Sequence, residues 1–377
     1  MCHTNKTQSS RQMLWAPYKS SNLVPLFTSA MVAVFCTLST LLLVNKVQSL
    51  PIHRYLENVY TKKYEPAPDE YGFNEADTGY SNKTLQRLQA NFYSEDGITR
   101  DVFVKNVHSH NDYWRARPLL EAIALGVRSV EADVWSFPEF GDESLYVGHS
   151  VRSLSSGRTL ESLYLNPLMS ILKGSNNENG IHETLKRDLK QQHDKQTAGV
   201  FATDSSATLF LFIDFKTSGD ELYDLVHDAL DHLRDAQWLT YYNATQDVFH
   251  WRPITVIGTG LVPFDRVFAE NRQRDIFFDA PLDKLNGTDK FNYKLSPIAS
   301  CSLGNLVGSI SINRLDDTQK ANIKEQVQLA HEKGMLTRVW DTPSWPVIFE
   351  SAIWRSLVEA GSDLINADDL EKIVSFE

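Results

Sequence analysis

The chain has 377 residues, 42% of them hydrophobic and 23% charged, which is enough apolar material for a large core and excludes an intrinsically disordered protein. Its formal net charge of -11 leaves no basic footprint of the kind that a phosphate backbone needs, so nucleic acid is excluded as an expected partner. The three cysteines, Cys2, Cys36 and Cys301, are too scattered for a metal knuckle or an intrachain disulfide framework.

Residues 1–23 form a short flank that carries Lys6, Arg11 and Lys19 and no acid. A hydrophobic segment follows over 24–46. Its centre, Leu26 to Val44, has 19 residues of which 14 are apolar and none is charged, close to the ~20 that cross a bilayer as a helix. A buried core helix would carry a polar face, whereas only Thr and Ser interrupt this run. The basic flank keeps the N-terminus cytosolic and sends the remainder across. The expected location is therefore the secretory pathway, as a single-pass membrane protein or, after cleavage near "VQS" at 47–49, as a secreted one; a mitochondrial role stays open. The triplets at Asn82, Asn243 and Asn286 are N-glycosylation acceptors, which agree with export but also recur by chance. Residues 47–98 mix Pro, Tyr, Asn and acids without periodicity and read as a linker or wrapping segment.

From Thr99 to Glu377 short β-rich runs alternate with helical patterns, which predicts parallel strands joined by crossover helices. The predicted strands are 102–107 ("VFVKNV"), 127–134 ("VRSVEADV"), 208–215 ("TLFLFIDF"), 254–258, 275–280, 308–313 ("GSISIN"), 336–341 ("LTRVWD") and 363–366. Predicted helices start near 117, 220, 318 and 346, the last two ending at Gly334 and Gly361. Eight strands in a domain of this length suit a (β/α)8 TIM barrel, with "SLYVGH" as a hairpin strand and 173–196 as a polar insert.

Strand side chains alternate, so Glu131 and Asp133 share one face of "VRSVEADV", Asp214 and Lys216 share one face of "FLFIDFKT", and His108 and His110 share one face of "HSHNDY". In a barrel those strand ends surround a single mouth. Adjacent inward carboxylates are costly unless something neutralises them, and a divalent cation is the simplest such thing; oxygen donors suit Mg²⁺ or Ca²⁺ better than zinc. His149 ends "SLYVGH", and two histidines beside such a cation would make a general base and a general acid. Each signal alone has a structural alternative: a salt-bridged "ExD", a buried Asp–Lys pair in "DFK", a core His108 and a core aromatic at Trp340, which otherwise lines the pocket from the inward side of its strand. Asp112 and Tyr113 are expected to hold the turn after the first strand.

These residues resemble the superfamily of phospholipase-C-like phosphodiesterases, barrels in which a histidine ends the first strand, Glu-x-Asp the second and an acid-x-Lys the third, with a second histidine in a hairpin between. More closely, "HSHNDYWRARPLLEAIALGVRSVEADV", "LYVGHS", "LFIDFKT" and "GSDLINADDL" are similar to the fungal altered inheritance of mitochondria protein 6 family over roughly residues 100 to 377. The His-Arg-Gly that follows the first strand of glycerophosphodiesterases is absent. The resemblance implies cleavage of a phospholipid or other small phosphodiester. Glu131, Asp133, Asp214 and Asn111 would hold the cation, His110 and His149 would act as base and acid, and Lys216 would offset charge on a phosphate oxygen. A barrel that keeps the ligands but serves as a binding or scaffolding protein is the other reading.

Overall fold

A computed structural model describes residues 98–176, 197–217, 219–270, 272–310 and 314–376. The hydrophobic run at 26–44, Asn82, the stretch from 47 to 97 and most of the 173–196 insert lie outside the described residues.

The strands are β1 (Lys105–Ser109), β2 (Val127–Phe137), β3 (Asp142–Val147), β4 (Leu209–Phe215), β5 (Tyr241–Asn243), β6 (Val248–His250), β7 (Ile254–Gly260), β8 (Ile276–Phe278), β9 (Ala280–Pro281), β10 (Ile298–Ser302), β11 (Leu336–Trp340) and β12 (Leu364–Ala367). Nine of them form one parallel path in the order β8-β7-β4-β2-β1-β12-β11-β10-β9. Its two ends, β8 and β9, are separated in sequence by Asp279 alone. The path therefore returns to its start, giving a mixed α/β fold around a nearly closed parallel sheet, consistent with the expected barrel. β3 adds an antiparallel arm to β2, and β5 and β6 form a separate hairpin.

Strands buried on both faces need continuous apolar runs, and "LFLFIDF" is one. Its outward members Leu209, Leu211, Ile213 and Phe215 join the core under the helices. Its inward members Phe210 and Phe212 pack with Ile257, Phe277, Ile298 and Leu364 inside the barrel. This inner apolar layer fills the lower part of the barrel and is the floor on which the polar residues of the mouth rest. Among the covering helices, Asp317–Glu332 starts on a reciprocal cap between Asp316 and Gln319. Val347–Ala360 ends at Gly361, whose φ of 86° is the left-handed stop expected there.

Two predicted strands are corrected. The first lies at Lys105–Ser109 rather than at 102–107, so it reaches the histidine-rich stretch itself. No strand forms at 308–310, with 311–313 outside the described residues; the strand of that region is Ile298–Ser302. Its small residues Ala299, Ser300 and Cys301 carry little β-branched or aromatic signal, and the segment becomes a strand because β9 and β11 pair with it on both sides.

Phe212 is fully buried, with the His108 ring edge-on to it at 4.8 Å between centroids and the Arg338 guanidinium 5.0 Å from its centroid. Phe212→Ala is expected to cost about 3–5 kcal/mol of stability, read as a lowered denaturant midpoint with unchanged slope. A cost below about 1 kcal/mol would show that the inner layer is not the floor described.

Candidate active site

In-register pairing puts Asp133 beside Asp214, and Asp214 beside Thr259, at one level of the barrel. Glu131 lies one alternation below Asp133 on the same face. Ligand atoms of Glu131, Asp133 and Asp214 all come within 4.8 Å of one another. The face-sharing read from the sequence thus converges in space.

Three clustered carboxylates need compensation. Lys216 Nζ lies 2.6 Å from Asp214 Oδ2 and 2.9 Å from Asp133 Oδ2. Arg338, three strands along the ring from β2 on β11, places Nη2 3.5 Å from Glu131 Oε1 and donates through Nε to Asn366 Oδ1 at 3.0 Å. The Asn111 backbone N–H donates to Glu131 Oε2 at 3.0 Å. Burial alone would raise the Glu131 carboxyl, but the Arg338 guanidinium and the neighbouring His108 ring hold it well below the usual carboxylate range. Asp133 goes the other way: burial, then the neighbouring Glu131 charge, push it up to about 6 against the pull of Lys216. Burial also raises Asp214, opposed by Lys216. Two positive groups for three carboxylates leave negative charge in excess, and with the Asn111 amide the donor set is all oxygen. These residues fit a hard divalent cation.

The histidines occupy three different environments. His108 is fully buried beneath Glu131, with Nδ1 2.7 Å from Ser129 Oγ and Nε2 3.7 Å from Glu131 Oε2. Burial, then Arg338, lower it to about 3, so it is neutral and supports the cluster from below. His110 follows the end of β1; because β1 pairs with β12, its Nδ1 comes 2.9 Å from Asp368 Oδ1. His149 is carried back to the mouth by the β2–β3 hairpin, where Gly148 N–H donates to Asp133 O at 3.1 Å. Its Nδ1 lies 3.7 Å from Asp133 Oδ2, and its side chain is 58% exposed.

The turn after β1 explains itself residue by residue. Asn111 takes a left-handed φ of 48°, which asparagine tolerates, and turns the chain inward. Asp112 is fully buried and accepts from Ser109 Oγ at 2.6 Å, Leu119 N–H at 2.6 Å and Tyr164 Oη at 3.1 Å, so it holds the turn as expected. Tyr113 does more than expected: its hydroxyl lies 2.5 Å from Asn111 Oδ1, 2.8 Å from Asp133 Oδ2 and 3.2 Å from His149 Nδ1. Burial, then Asp133, push this phenol far above its ordinary range, so it keeps its proton.

Trp340 ends β11 on the alternation of Arg338 and stands at the rim, 39% exposed. Asn243 lies in β5 and Asn286 in an exposed loop. Arg338, Asp368 and Asp279 are site-proximal residues that the sequence did not point to, and Tyr113 was expected only to hold the turn. Asp279 sits at the break in the ring, raised by burial to about 6, with Oδ1 lacking a hydrogen-bond partner. The available signal was a lone arginine inside "LTRVW" on the inward alternation.

Comparison with known proteins places residues 96–279 under the family model described as "AIM6-like phosphodiesterase domain". The altered inheritance of mitochondria protein 6 homolog of Arthroderma benhamiae is 40% identical over 282 residues, covering 72% of this chain and 84% of the relative. The altered inheritance of mitochondria protein 6 of Lachancea thermotolerans is 36% identical over 306 residues, covering 73% of this chain and 66% of the relative. Among solved structures, a phosphodiesterase of Oleispira antarctica in complex with the product sn-glycerol-3-phosphate matches at 13% identity and a TM-score of 0.37, covering 75% of this chain and 98% of that one.

Two outcomes are expected from this geometry. Asp133 takes up its proton at about 6 in the folded chain and near 3.8 in the unfolded one, so between those values the folded state holds more protons and stability falls as pH rises. The penalty is absent below the lower value and complete above the upper, on the order of 2–3 kcal/mol. With a chelator present, Asp133→Asn should therefore gain stability relative to the parent between about pH 4 and about pH 7; a flat difference across that range refutes the assignment. Gly260 has φ +66°, and an added Cβ would fall 1.9 Å from Asp214 Oδ1. Gly260→Ala is expected to weaken Mg²⁺ or Ca²⁺ binding roughly tenfold or more in calorimetric titration, and unchanged affinity contradicts the placement of Asp214 as a ligand.

Proposed function

The chain belongs to the altered inheritance of mitochondria protein 6 family, and from that premise we propose that its (β/α)8 barrel is a metal-dependent phosphodiesterase acting on a phospholipid or glycerophosphodiester-type substrate. The observation that carries the reading is the convergence of Glu131, Asp133 and Asp214 within 4.8 Å, with His110 and His149 on separate elements beside them. Glu131, Asp133, Asp214 and the Asn111 side chain would hold Mg²⁺ or Ca²⁺. A bound cation supplies Lewis-acid stabilisation of phosphate charge.

The remaining steps belong to the side chains. His110 keeps Nδ1 on Asp368, which leaves Nε2 to accept the proton of the attacking hydroxyl, and the carboxylate stabilises the ring as it becomes positive. His149, on the hairpin side, returns a proton to the leaving oxygen. Lys216 offsets charge on a non-bridging oxygen. Trp340 offers an aromatic surface at the rim to the substrate's organic part.

One observation favours a second reading, a silent barrel that binds or scaffolds: Lys216 already bridges Asp133 and Asp214, neutralising part of the cluster from within. The two readings separate on purified full-length protein assayed against a panel of phosphodiesters with Mg²⁺ and Ca²⁺. The expected result is cation-dependent turnover, lowered about 10²–10⁴-fold in His110→Ala and His149→Ala and abolished in Glu131→Ala. Absence of turnover on every substrate, with cation binding intact, establishes the scaffold instead.

The apolar run at 26–44 supports a secretory-pathway location for this activity, with the segment retained as an anchor or cleaved, and glycans on Asn82, Asn243 and Asn286 would accompany it. Resistance of the native protein to alkaline extraction, together with a mass shift on glycosidase treatment, tests that placement. Extraction without any shift removes it.

A further inference from the structure

Tyr113 is 2% exposed, yet its hydroxyl reaches three polar groups of the site. Asn111 Oδ1 is 2.5 Å away, Asp133 Oδ2 2.8 Å and His149 Nδ1 3.2 Å. A phenol has one proton to donate and lone pairs with which to accept. The amide carbonyl accepts only, as does an ionised carboxylate, so the proton goes to one of these two oxygens. Asn111 Nδ2 lies over the His110 ring, 3.1 Å from Nδ1 and 3.4 Å from Nε2, and donates nothing to the Nδ1–H that Asp368 holds. Nothing is then left for the hydroxyl to donate to His149. The contact at 3.2 Å is a hydrogen bond only if His149 Nδ1 carries the hydrogen and the phenol oxygen accepts it.

We propose that Tyr113 is a positioning residue that holds His149 in the Nδ1–H form, leaving Nε2 as the nitrogen that exchanges a proton with substrate. Trp114 frames the same ring, edge-on to His149 with centroids 5.4 Å apart and to Tyr113 at 6.1 Å. The two histidines are thus oriented through the same nitrogen by different partners: a carboxylate, Asp368, for His110 and a neutral hydroxyl, Tyr113, for His149. Tyr113 also touches both Asn111 and Asp133, so one side chain stands between the His149 ring and two of the oxygen donors. The assignment rests on the reading of His149 as a proton-transfer group.

The test is the tautomer itself, read by long-range ¹H–¹⁵N correlation on full-length, cation-free protein labelled with ¹⁵N-histidine, at a pH where the ring is neutral. The His149 signals are identified by their loss in His149→Gln. The parent protein is expected to show the Nδ1–H pattern. Tyr113→Phe, which keeps the ring and removes the oxygen, should shift the population toward Nε2–H by about fivefold, the effect of one hydrogen bond of ordinary net strength. A parent already in the Nε2–H form overturns the proposal without any variant, and so does a Tyr113→Phe pattern equal to the parent's. A purely structural role for Tyr113 leaves the tautomer where it was. Neither readout involves turnover, so a silent phosphodiester panel and an unmoved tautomer are separate failures.

Discussion

Three carboxylates, Glu131, Asp133 and Asp214, stand close together at the buried end of adjacent strands, and the rest of the barrel interior is arranged around their charge. Taking such groups out of water costs several kcal/mol each unless partners replace the lost solvation. The interior answers in layers. Below lies an apolar layer built by Phe210, Phe212, Ile257, Phe277, Ile298 and Leu364. Above it His108, neutral because it is buried, packs beneath Glu131, and Arg338, held by Asn366, bonds Glu131 in place of water. The opposite responses of Glu131 and Asp133 follow from this arrangement: Glu131 sits against a guanidinium, whereas Asp133 sits against another carboxylate.

That arrangement requires a nearly closed sheet. Arg338 and Glu131 are 207 residues apart in sequence, and His110 and Asp368 are 258 apart. β11 and β12 reach β2 only through β1, and the path from β8 back to β9 closes across Asp279. A flat sheet in the same strand order would leave the two ends of the path apart and expose the inward face. Gly260 shows how tight the closure is, since the neighbouring strand leaves no room for a methyl group beside Asp214.

Much of this was legible in the sequence because alternation is a local rule. "VRSVEADV" and "LFIDFK" assign their carboxylates to one face with no knowledge of the fold, and parallel register then aligns Asp133 with Asp214. The rule stops where the strand stops. After Ser109 the chain enters a left-handed residue and a short 3₁₀ turn, so Tyr113 is aimed by that turn, and no periodicity in "HSHNDY" could send its hydroxyl to Asp133. Arg338 and Asp368 were hidden for another reason: their partners are distant in sequence and become neighbours only on ring closure. The strand Ile298–Ser302 escaped because its residues are small, a consequence of pairing on both sides rather than of intrinsic preference.

The two positive groups that meet the cluster are not equivalent. Arg338 is a planar guanidinium with a side chain 4% exposed, stacked over Phe212 and bonded to Asn366 and Glu131, so its charge is fixed in place by packing on several sides. Lys216 lies just beyond the end of β4, its side chain 25% exposed, on a flexible four-carbon stem whose ammonium bonds Asp133 and Asp214 alike. A buried site with only fixed countercharges would be a finished ion pair network. One with only movable ones would lack a defined geometry when the movable group turned elsewhere. Here the deepest carboxylate has the rigid partner and the two nearer the mouth share the adaptable one. The cluster is therefore stable as it stands, yet the oxygens nearest solvent remain those whose partner can be exchanged for another positive charge.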